Sequence, residues 1–377
     1  MKHQLHRLFV TRHIDAISSN VFSLLSACAV LLLVLILAFL TGRQVLLHIY
    51  KKEGKPLKDI SAFSIYLVIV ALLGARLGHV IFYEAAQIGS KGLSIFLPFA
   101  FKPEFHLLGS EAFSIHGGTL GILLLLWFYH HKNKLQQNYF QIADRLAIVT
   151  AVSAIFILLG SFLSSELQGK ATDSAPAAIF ISPVLNGLMK VPCCIMRSPG
   201  GKNPLEKVAV KKDPANVKKE TIHKSIILYL FFKPGASEQL VNEFLIGDVK
   251  AFLYDMAKFV YEPGTQPLHY RIFLEKNGTY VARIKTKGIS RYPVQLFEAI
   301  GCMVLFVFLF SYWSRHKMNT PSGRLFACFM ILFWSLHFAF GFLKEKQLPV
   351  EFGFNILFVL VGITALVFSR KSSFIKY

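Results

Sequence analysis

Side chains able to bind an anion or to move a proton lie near the ends of long apolar segments in this sequence. Two of them are arginines, Arg76 in "GARLGHVIFYE" and Arg291 in "SRYPVQLFEA". A guanidinium group donates two parallel hydrogen bonds to a phosphate. His116 in "SIHGGTLGI" is of the type most easily tuned to accept a proton near neutral pH. The other polar candidates are Glu166, Gln295 and Glu298.

Two glycines directly follow the histidine. Gly117 and Gly118 lack a Cβ atom, so a backbone or a ligand can approach them closely. The sequence leaves both roles open, helix packing or contact with a lipid head group.

The segments that must position these side chains are apolar enough for a bilayer. Of 377 residues, 54% are hydrophobic and 16% charged, and a mean hydropathy of +0.50 is rare in a soluble domain. Runs of about twenty apolar residues suit a hydrocarbon core roughly 30 Å thick. We predict a polytopic α-helical membrane protein of about seven transmembrane helices. The predicted segments are 21–40, 60–83, 113–130, 142–163, 294–313, 325–343 and 352–368.

The basic residues predict the orientation of the chain. The net charge of +20 arises largely from Lys and Arg that flank the apolar segments, so it does not indicate nucleic acid as a partner. The connection after the first segment is rich in lysine, and so is the C-terminal tail. We therefore predict a multi-pass protein with its N-terminus outside and its C-terminus inside. The first segment is expected to be a retained span rather than a signal peptide, because no small-residue cleavage site follows it.

Alternating topology predicts one site for the polar candidates. At about 1.5 Å per residue, Arg76 lies about 24 Å beyond residue 60, towards the outer leaflet. His116 begins the third segment, Glu166 follows the fourth, and Arg291 precedes the fifth. Ionisable groups at membrane depth usually face the interior of a helix bundle. We expect these four side chains to line a single pocket that binds an anionic phospholipid.

A region of different composition interrupts the apolar segments. Residues 185–290 read as strand, strand, helix and hairpin, with the turn at Asn277 and Gly278. We predict an inserted extracytoplasmic α+β domain between 1–184, with helices 1–4, and 291–377, with helices 5–7. Binding of an envelope protein and a chemically silent insertion are both open for it.

The cysteines indicate neither a metal nor a disulfide framework. Cys28, Cys302 and Cys328 lie in apolar segments and read as small core residues. Cys193 and Cys194 have no partner at zinc-ligand spacing, although a redox role stays open. No metal and no cofactor are expected.

Several stretches resemble the prolipoprotein diacylglyceryl transferase family, across nearly the whole chain outside 185–290. They are "YKKEGKPLKD", "GARLGHVIFYE", "SIHGGTLGI", "ILLGSFLSSELQGKATD" and "SRYPVQLFEA". The resemblance implies a bacterial inner-membrane transferase of lipoprotein biosynthesis. Its substrates would be phosphatidylglycerol and the signal segment of a preprolipoprotein, whose lipobox cysteine receives the diacylglyceryl group.

The resemblance also implies roles for the polar candidates. Arg76 and Arg291 would hold the lipid phosphate, and His116 would accept a proton or position the substrate. Glu166 and Glu298 would orient arginines, while Gln295 would bond the head group, with Gly117 and Gly118 beside it. His116, Glu166 and Arg291 are thus the expected catalytic residues.

The sequence departs from the family at two arginines. Leu158 replaces the arginine that leads the family's Arg-x-Gly-Asn motif, and His337 replaces a second arginine in "SLHFAFGFLKE". Loss of one donor to a developing oxyanion typically costs about 10²–10³ in rate, unless Arg76, Arg145 or the basic insert compensates. Two hypotheses follow: a divergent, working transferase, or a catalytically impaired paralogue that binds lipid or lipoproteins as a scaffold subunit. A transporter fits less well, because broken helices at the midplane are not evident.

Overall fold

A computed structural model describes ten stretches of the chain. They are residues 27–55, 60–97, 99–100, 106–107, 112–131, 138–165, 168–191, 203–213, 222–346 and 348–374. These stretches form two compact units. The membrane unit comprises the described residues of Ala27–Phe162 and Val294–Tyr377, and the sheet unit those of Leu163–Pro293. Whether residues 185–290 fold as a domain with those limits stays a prediction.

Helices of 17 to 26 residues form the membrane unit. In chain order they are α1 (Ala27–Lys52), α2 (Ile60–Tyr83), α3 (Ile115–His131), α4 (Tyr139–Leu163), α5 (Val294–His316), α6 (Arg324–Gly341) and α7 (Pro349–Phe374). Short turns at Ala85–Gln87, Ile88–Lys91, Gly92–Phe96 and Lys317–Asn319 and a small ladder, β1 (Phe99–Ala100) with β2 (His106–Leu107), lie in the connections.

The described helices confirm the predicted fold class. Six of them, all but α3, are long and apolar enough to cross a membrane. The 17 residues of α3 lie at the short end of the range that spans a hydrocarbon core. The chain is therefore a polytopic helical membrane protein with several apolar helices and a small sheet unit.

The first helix differs most from its predicted bounds. The sequence predicts a span at 21–40, of which residues 21–26 lie outside the described residues. Among the described residues, the apolar stretch of α1 that could cross a membrane is Leu32–Lys52. Residues 41–52 have a lower hydropathy because they contain Arg43 and His48, so they fall outside the predicted span. Leu46, Ile49 and Tyr50 of the same stretch are nevertheless buried in the core. Burial of one helix face thus extends the helix past the most apolar run.

The helices α2 and α3 cross at glycines. A Cβ atom on Gly78 would lie 2.6 Å from the Cα atom of Gly117, and one on Gly74 would lie 3.2 Å from the Cα atom of Gly121. The two backbones touch because none of these residues carries a side chain. Gly118 packs in the same way, since its Cβ atom would lie 3.2 Å from the carbonyl oxygen of Ala71.

A buried carboxylate begins α6. Asp144 of α4 accepts hydrogen bonds at 2.8 Å from the backbone N–H groups of Gly323 and Phe326. Gly323 is the N-cap residue of α6 and Phe326 lies in its first turn, where no carbonyl of the helix itself can accept the N–H group. Asp144 therefore fixes the start of α6 against α4.

The sheet unit is built on a long antiparallel strand. Its strands are β3 (Ala178–Ile179), β4 (Leu205–Lys212), β5 (His223–Phe232), β6 (Val260–Tyr261), β7 (Tyr270–Leu274) and β8 (Tyr280–Arg291). In the described part of the unit the order is β3-β8-β5-β4, and β6 and β7 also pair with β8. Its helical segments are α-helix Ser182–Leu188 and the continuous run of Glu238–Phe244, Leu245–Val249 and Lys250–Asp255.

The predicted hairpin is confirmed. Strands β7 and β8 pair from Leu274 with Tyr280 onwards, and Gly278 between them has a φ of +77°, which glycine adopts without a steric cost. The strand, strand, helix, hairpin order of the insert is also present.

The two faces of this sheet differ in chemistry. On one face, Ile226, Leu228 and Leu230 of β5 pack with Val241 and Phe244 of the helical run. Ile227 of β5 points to the other face. Its direct cross-strand neighbours there are Lys211 of β4 and Lys285 of β8, so this face carries basic side chains. The exposed cations of this face are Lys207, Lys211, Arg271, Lys285 and Lys287.

Candidate functional site

Buried and half-buried polar side chains from four helices and the turn after α6 meet near the C-terminal end of α6. We call this group the ionic cluster; it comprises His116 (α3), Glu298 (α5), His337 (α6), Lys344 (three residues after α6) and Asn355 (α7). The start of α3, the start of α5, the end of α6 and the start of α7 therefore lie at one level of the membrane unit.

Glu298 is the anion of the ionic cluster. Its Oε1 atom lies 2.8 Å from Nζ of Lys344 and 3.0 Å from Nδ1 of His337. Only 4% of its surface is exposed. A carboxylate this deeply buried is stable only when it is paired and hydrogen-bonded, so Glu298 fixes both cation-capable groups at one point.

His116 lies against aromatic rings beside that pair. Its ring stacks on Trp334 at a centroid distance of 5.0 Å, and its ring centroid lies 6.1 Å from that of His337. Its Nε2 atom lies 3.0 Å from Oδ1 of Asn355, so Nε2 donates and Nδ1 carries the lone pair. Nδ1 is buried and makes no hydrogen bond with the described residues. The ring can therefore accept a proton at Nδ1.

Arg76 lies in a network of its own at the end of α2. Its guanidinium donates to the carbonyl oxygens of Ala112, at 2.9 Å, and of Ile95, and it lies 3.4 Å from Oε2 of Glu84. This network anchors the connections that follow α2 to the helix. Binding of phosphate by Arg76 stays a prediction.

A hydrogen bond ties the end of α2 to the start of α7. Tyr83 donates from its hydroxyl to Oε1 of Glu351 at 3.1 Å. Together with the bond between His116 and Asn355, it joins α2 and α3 to α7 at the level of the ionic cluster.

Arg291 belongs to the sheet unit, at the end of β8. Its guanidinium donates to the backbone carbonyl of Lys258 at 2.8 and 3.2 Å and to that of Gly169 at 3.1 Å. These bonds hold the end of β8 to neighbouring backbone of the same unit. Its predicted contact with a phosphate stays a prediction.

Of the remaining predicted site residues, Gln295, Gly117 and Gly118 lie in the membrane unit, and Glu166 is not among the described residues. Gln295 is buried one helical turn before Glu298 on α5, with 2% of its surface exposed. Gly117 and Gly118 pack against the backbone of α2, and contact with a lipid stays a prediction. Glu166 lies outside the described residues, as do Cys193 and Cys194, and no group of metal-ligating side chains occurs among the described ones.

The two positions where family arginines are missing have different surroundings, one apolar and one ionic. Leu158 packs against the hydrophobic core of the membrane unit, so this position offers an apolar contact in place of a donor. His337 lies inside the ionic cluster, where Lys344 supplies a cation. Lys344 and Asn355 were not predicted. Both are polar residues beside apolar helices, and applying to them the criterion that selected His116 would have found them.

Arg145 does not supply the missing cation. Its guanidinium bonds both carboxylate oxygens of Glu53 at 3.0 to 3.1 Å, and the indole N–H of Trp313 donates to the same carboxylate at 2.8 Å. Trp313 lies fifteen residues after Glu298 on α5, which is about 22 Å along the helix. Arg145 is thus bound at the opposite end of the membrane unit from the ionic cluster.

The pair of Glu53 and Arg145 predicts a dependence of stability on acid. Burial would raise the pKa of Glu53, but the Trp313 N–H group and the Arg145 guanidinium outweigh it and lower that pKa below its ordinary value of 4.5. The stabilisation is therefore full above pH 4.5 and is lost as the pH falls through the lower pKa of the folded protein. We expect the melting temperature in detergent to fall below pH 4.5 more steeply for the native protein than for Glu53→Gln. Parallel melting curves would show that this carboxylate does not titrate with folding.

Comparison with known proteins assigns the chain to a family. A sequence model described as prolipoprotein diacylglyceryl transferase matches residues 13–368. The chain belongs to this family. The match includes the ionic cluster, Arg76 and the whole sheet unit, so the interpretation of the motifs as those of this family is confirmed.

Curated relatives carry the name phosphatidylglycerol–prolipoprotein diacylglyceryl transferase. One from Tolumonas auensis is 33% identical over 145 residues, which is 38% of this chain and 51% of the relative. One from Bacteroides fragilis is 35% identical over 133 residues, 35% of this chain and 47% of the relative. One from Stenotrophomonas maltophilia is 24% identical over 249 residues, 65% of this chain and 75% of the relative. The matched part thus spans about half the length of the first two diacylglyceryl transferases.

Proposed function

We propose that this protein transfers the diacylglyceryl group of phosphatidylglycerol to the lipobox cysteine of a preprolipoprotein. The observation that carries the proposal is the ionic cluster, buried within a family member whose relatives are named for this reaction. Ionisable groups at membrane depth are costly and mark functional sites. The presence of such groups in the ionic cluster, despite the free-energy cost of burying them, is consistent with a site that binds the phosphate of an anionic lipid.

The described groups support distinct parts of this chemistry. The thiolate is the nucleophile, so a base must take the thiol proton. Nδ1 of His116 is the proposed base, held by the Asn355 bond and by the stack on Trp334. Glu298 would position cations for the phosphate, and Gln295 would bond the head group. Roles for Glu166, Arg76 and Arg291 at the phosphate and for Gly117 and Gly118 beside it are part of the proposal, and no metal or cofactor is required.

The proposal includes an orientation in the bacterial inner membrane. With the N-terminus outside and the C-terminus inside, the end of α2 and the starts of α3 and α5 face the outer leaflet. Residues 185–290 then lie outside the cytoplasm, where preprolipoproteins present their lipobox. The lysine-rich end of α1, with Lys51 and Lys52 in its last turn, supports a cytoplasmic location for that end.

A transfer assay tests the proposal. The purified full-length protein is reconstituted with phosphatidylglycerol and a lipobox peptide, and the peptide is weighed by mass spectrometry. We expect the diacylglyceryl adduct, and we expect His116→Gln to lower kcat by about 10²–10⁴. Vesicles of phosphatidylcholine are the lipid control. Absence of adduct at an enzyme load far above that at which a standard family member turns over would refute the transfer reaction.

The second candidate is a catalytically impaired paralogue that binds lipid or lipoproteins. The apolar contact of Leu158, where the family has an arginine, favours it. The exposed basic face of the sheet unit would then bind an envelope protein with an acidic surface through residues 185–290. Retention of phosphatidylglycerol without any transfer would support this candidate, and formation of the adduct would contradict it.

A further inference from the structure

Lys344 lies at the opening of the ionic cluster. It follows α6 by three residues, and its backbone N–H donates to the carbonyl oxygen of Gly341 at 3.0 Å, which turns its side chain back towards the cluster. Its side chain is 14% exposed, whereas that of Glu298 is 6% exposed. The ammonium group is therefore paired with the buried carboxylate, and its side chain is partly exposed at the edge of the cluster.

Lys344 is a cation of this group, paired with Glu298 at 2.8 Å. An ammonium group only donates hydrogen bonds, so Nε2 of His337, 3.5 Å from Nζ of Lys344, acts as an acceptor. The ring proton is then on Nδ1, which faces Oε1 of Glu298 at 3.0 Å. The ammonium group of Lys344 thus supplies a positive charge opposite Glu298.

The ammonium group retains capacity for a ligand. It has three N–H donors, and its contacts with the described residues are the 2.8 Å ion pair to Glu298 and the long 3.5 Å contact to His337. A third donor can therefore bind an incoming oxygen atom.

We propose that Lys344 binds the phosphate of the lipid and stabilises the charge that develops when the phosphate leaves. This inference rests on the proposed function. A sulfur lone pair forms the new C–S bond to the glycerol carbon, and the C–O bond breaks with its electron pair on the phosphate oxygen. The phosphodiester monoanion becomes a phosphomonoester dianion, and the thiol proton passes to His116. Lys344 faces the oxygen where this charge grows, while Glu298 and His337 are positioning residues.

Lys344 would bind the phosphate in place of the arginine that is missing at position 337. His337 stands where the family resemblance places an arginine, and Lys344 reaches the same carboxylate from seven residues further along the chain. A cation is thus present at the carboxylate although position 337 carries no arginine. Restoring an arginine at 337 should make Lys344 dispensable.

Four variants of the full-length protein test this exchange in phosphatidylglycerol vesicles with a lipobox peptide. We expect Lys344→Met to lower kcat by about 10²–10³, and Lys344→Arg to stay within about tenfold of the native protein because it keeps the charge. The double variant Lys344→Met with His337→Arg should recover at least about tenfold over Lys344→Met alone. Lys346→Met is the matched control, since Lys346 is an exposed lysine two residues away, and should transfer as the native protein does.

The outcomes separate this proposal from the proposed function. Transfer by Lys344→Met within about threefold of the native protein would overturn it while leaving the transferase function intact. Loss of activity without recovery in either arginine variant would also overturn it, because it would indicate a packing role. If the native protein makes no adduct, the transferase function is refuted, and the role of Lys344 as a phosphate ligand is then tested by lipid binding alone. Native mass spectrometry should then show that Lys344→Met loses the preference for phosphatidylglycerol over diacylglycerol, and an unchanged preference would reject Lys344 as a phosphate ligand.

Discussion

Replacing Glu53 by methionine is expected to destabilise the membrane unit by about 3–5 kcal/mol. The carboxylate is fully buried and accepts hydrogen bonds from both Arg145 and Trp313. The change leaves the Arg145 guanidinium buried without its carboxylate and the indole N–H without an acceptor. A charge left uncompensated away from water costs far more than an exposed pair gains.

Equilibrium unfolding in mixed micelles, followed by tryptophan fluorescence, measures this loss. The double variant Glu53→Met with Arg145→Met removes the buried pair and should recover most of the stability, since well-packed apolar groups can replace a buried ion pair. Lys55, which also lies 3.3 Å from the carboxylate, keeps its charge in this variant, and its side chain is 12% exposed. Lys285→Met is the control for an exposed pair, because Lys285 is 56% exposed and lies 3.5 Å from Asp213; it should cost no more than about 1 kcal/mol. A double variant less stable than Glu53→Met would contradict the charge argument.

Gly117→Ala is expected to destabilise the protein by at least about 3 kcal/mol, at the upper end of the cost of overpacking. The new Cβ atom would lie 2.8 Å from the Cα atom of Gly78 and would also meet the carbonyl oxygen of Gly74. Both are backbone atoms of α2, so no side-chain rotation relieves the overlap. The helices must move apart, and the bonds that α2 and α3 make to α7 through Tyr83 and His116 must stretch.

The matched control is Gly353→Ala, within α7. Outside the adjacent residues and the local helix backbone, no described atom lies within 4 Å of a Cβ atom placed there, and alanine favours a helix over glycine by about 1 kcal/mol. We therefore expect Gly353→Ala to be neutral or stabilising while Gly117→Ala lowers the melting temperature and the monodisperse yield. Equal behaviour of the two variants would show that the close approach of α2 and α3 does not limit stability.

Sequence reasoning went furthest where the signal is local. A run of twenty apolar residues predicts a membrane helix because the bilayer thickness alone sets its length. Alternating residues on either side of Asn277 and Gly278 predict a hairpin because the turn requires a positive φ, which Gly278 has. The family match confirms the interpretation of the motifs, which are short and contiguous.

The sequence determined that this chain is a membrane protein with a sheet insert, which residue types could handle a phosphate, and which family arginines are missing. Only the tertiary structure decided the partners. Lys344 reaches Glu298 across 46 residues, and Arg145 is bound by Glu53 rather than being available for a phosphate. Gly117 serves the crossing of α2 and α3. The physical reason is that periodicity and hydropathy are properties of neighbouring residues, whereas an ion pair at membrane depth depends on which helix ends pack together.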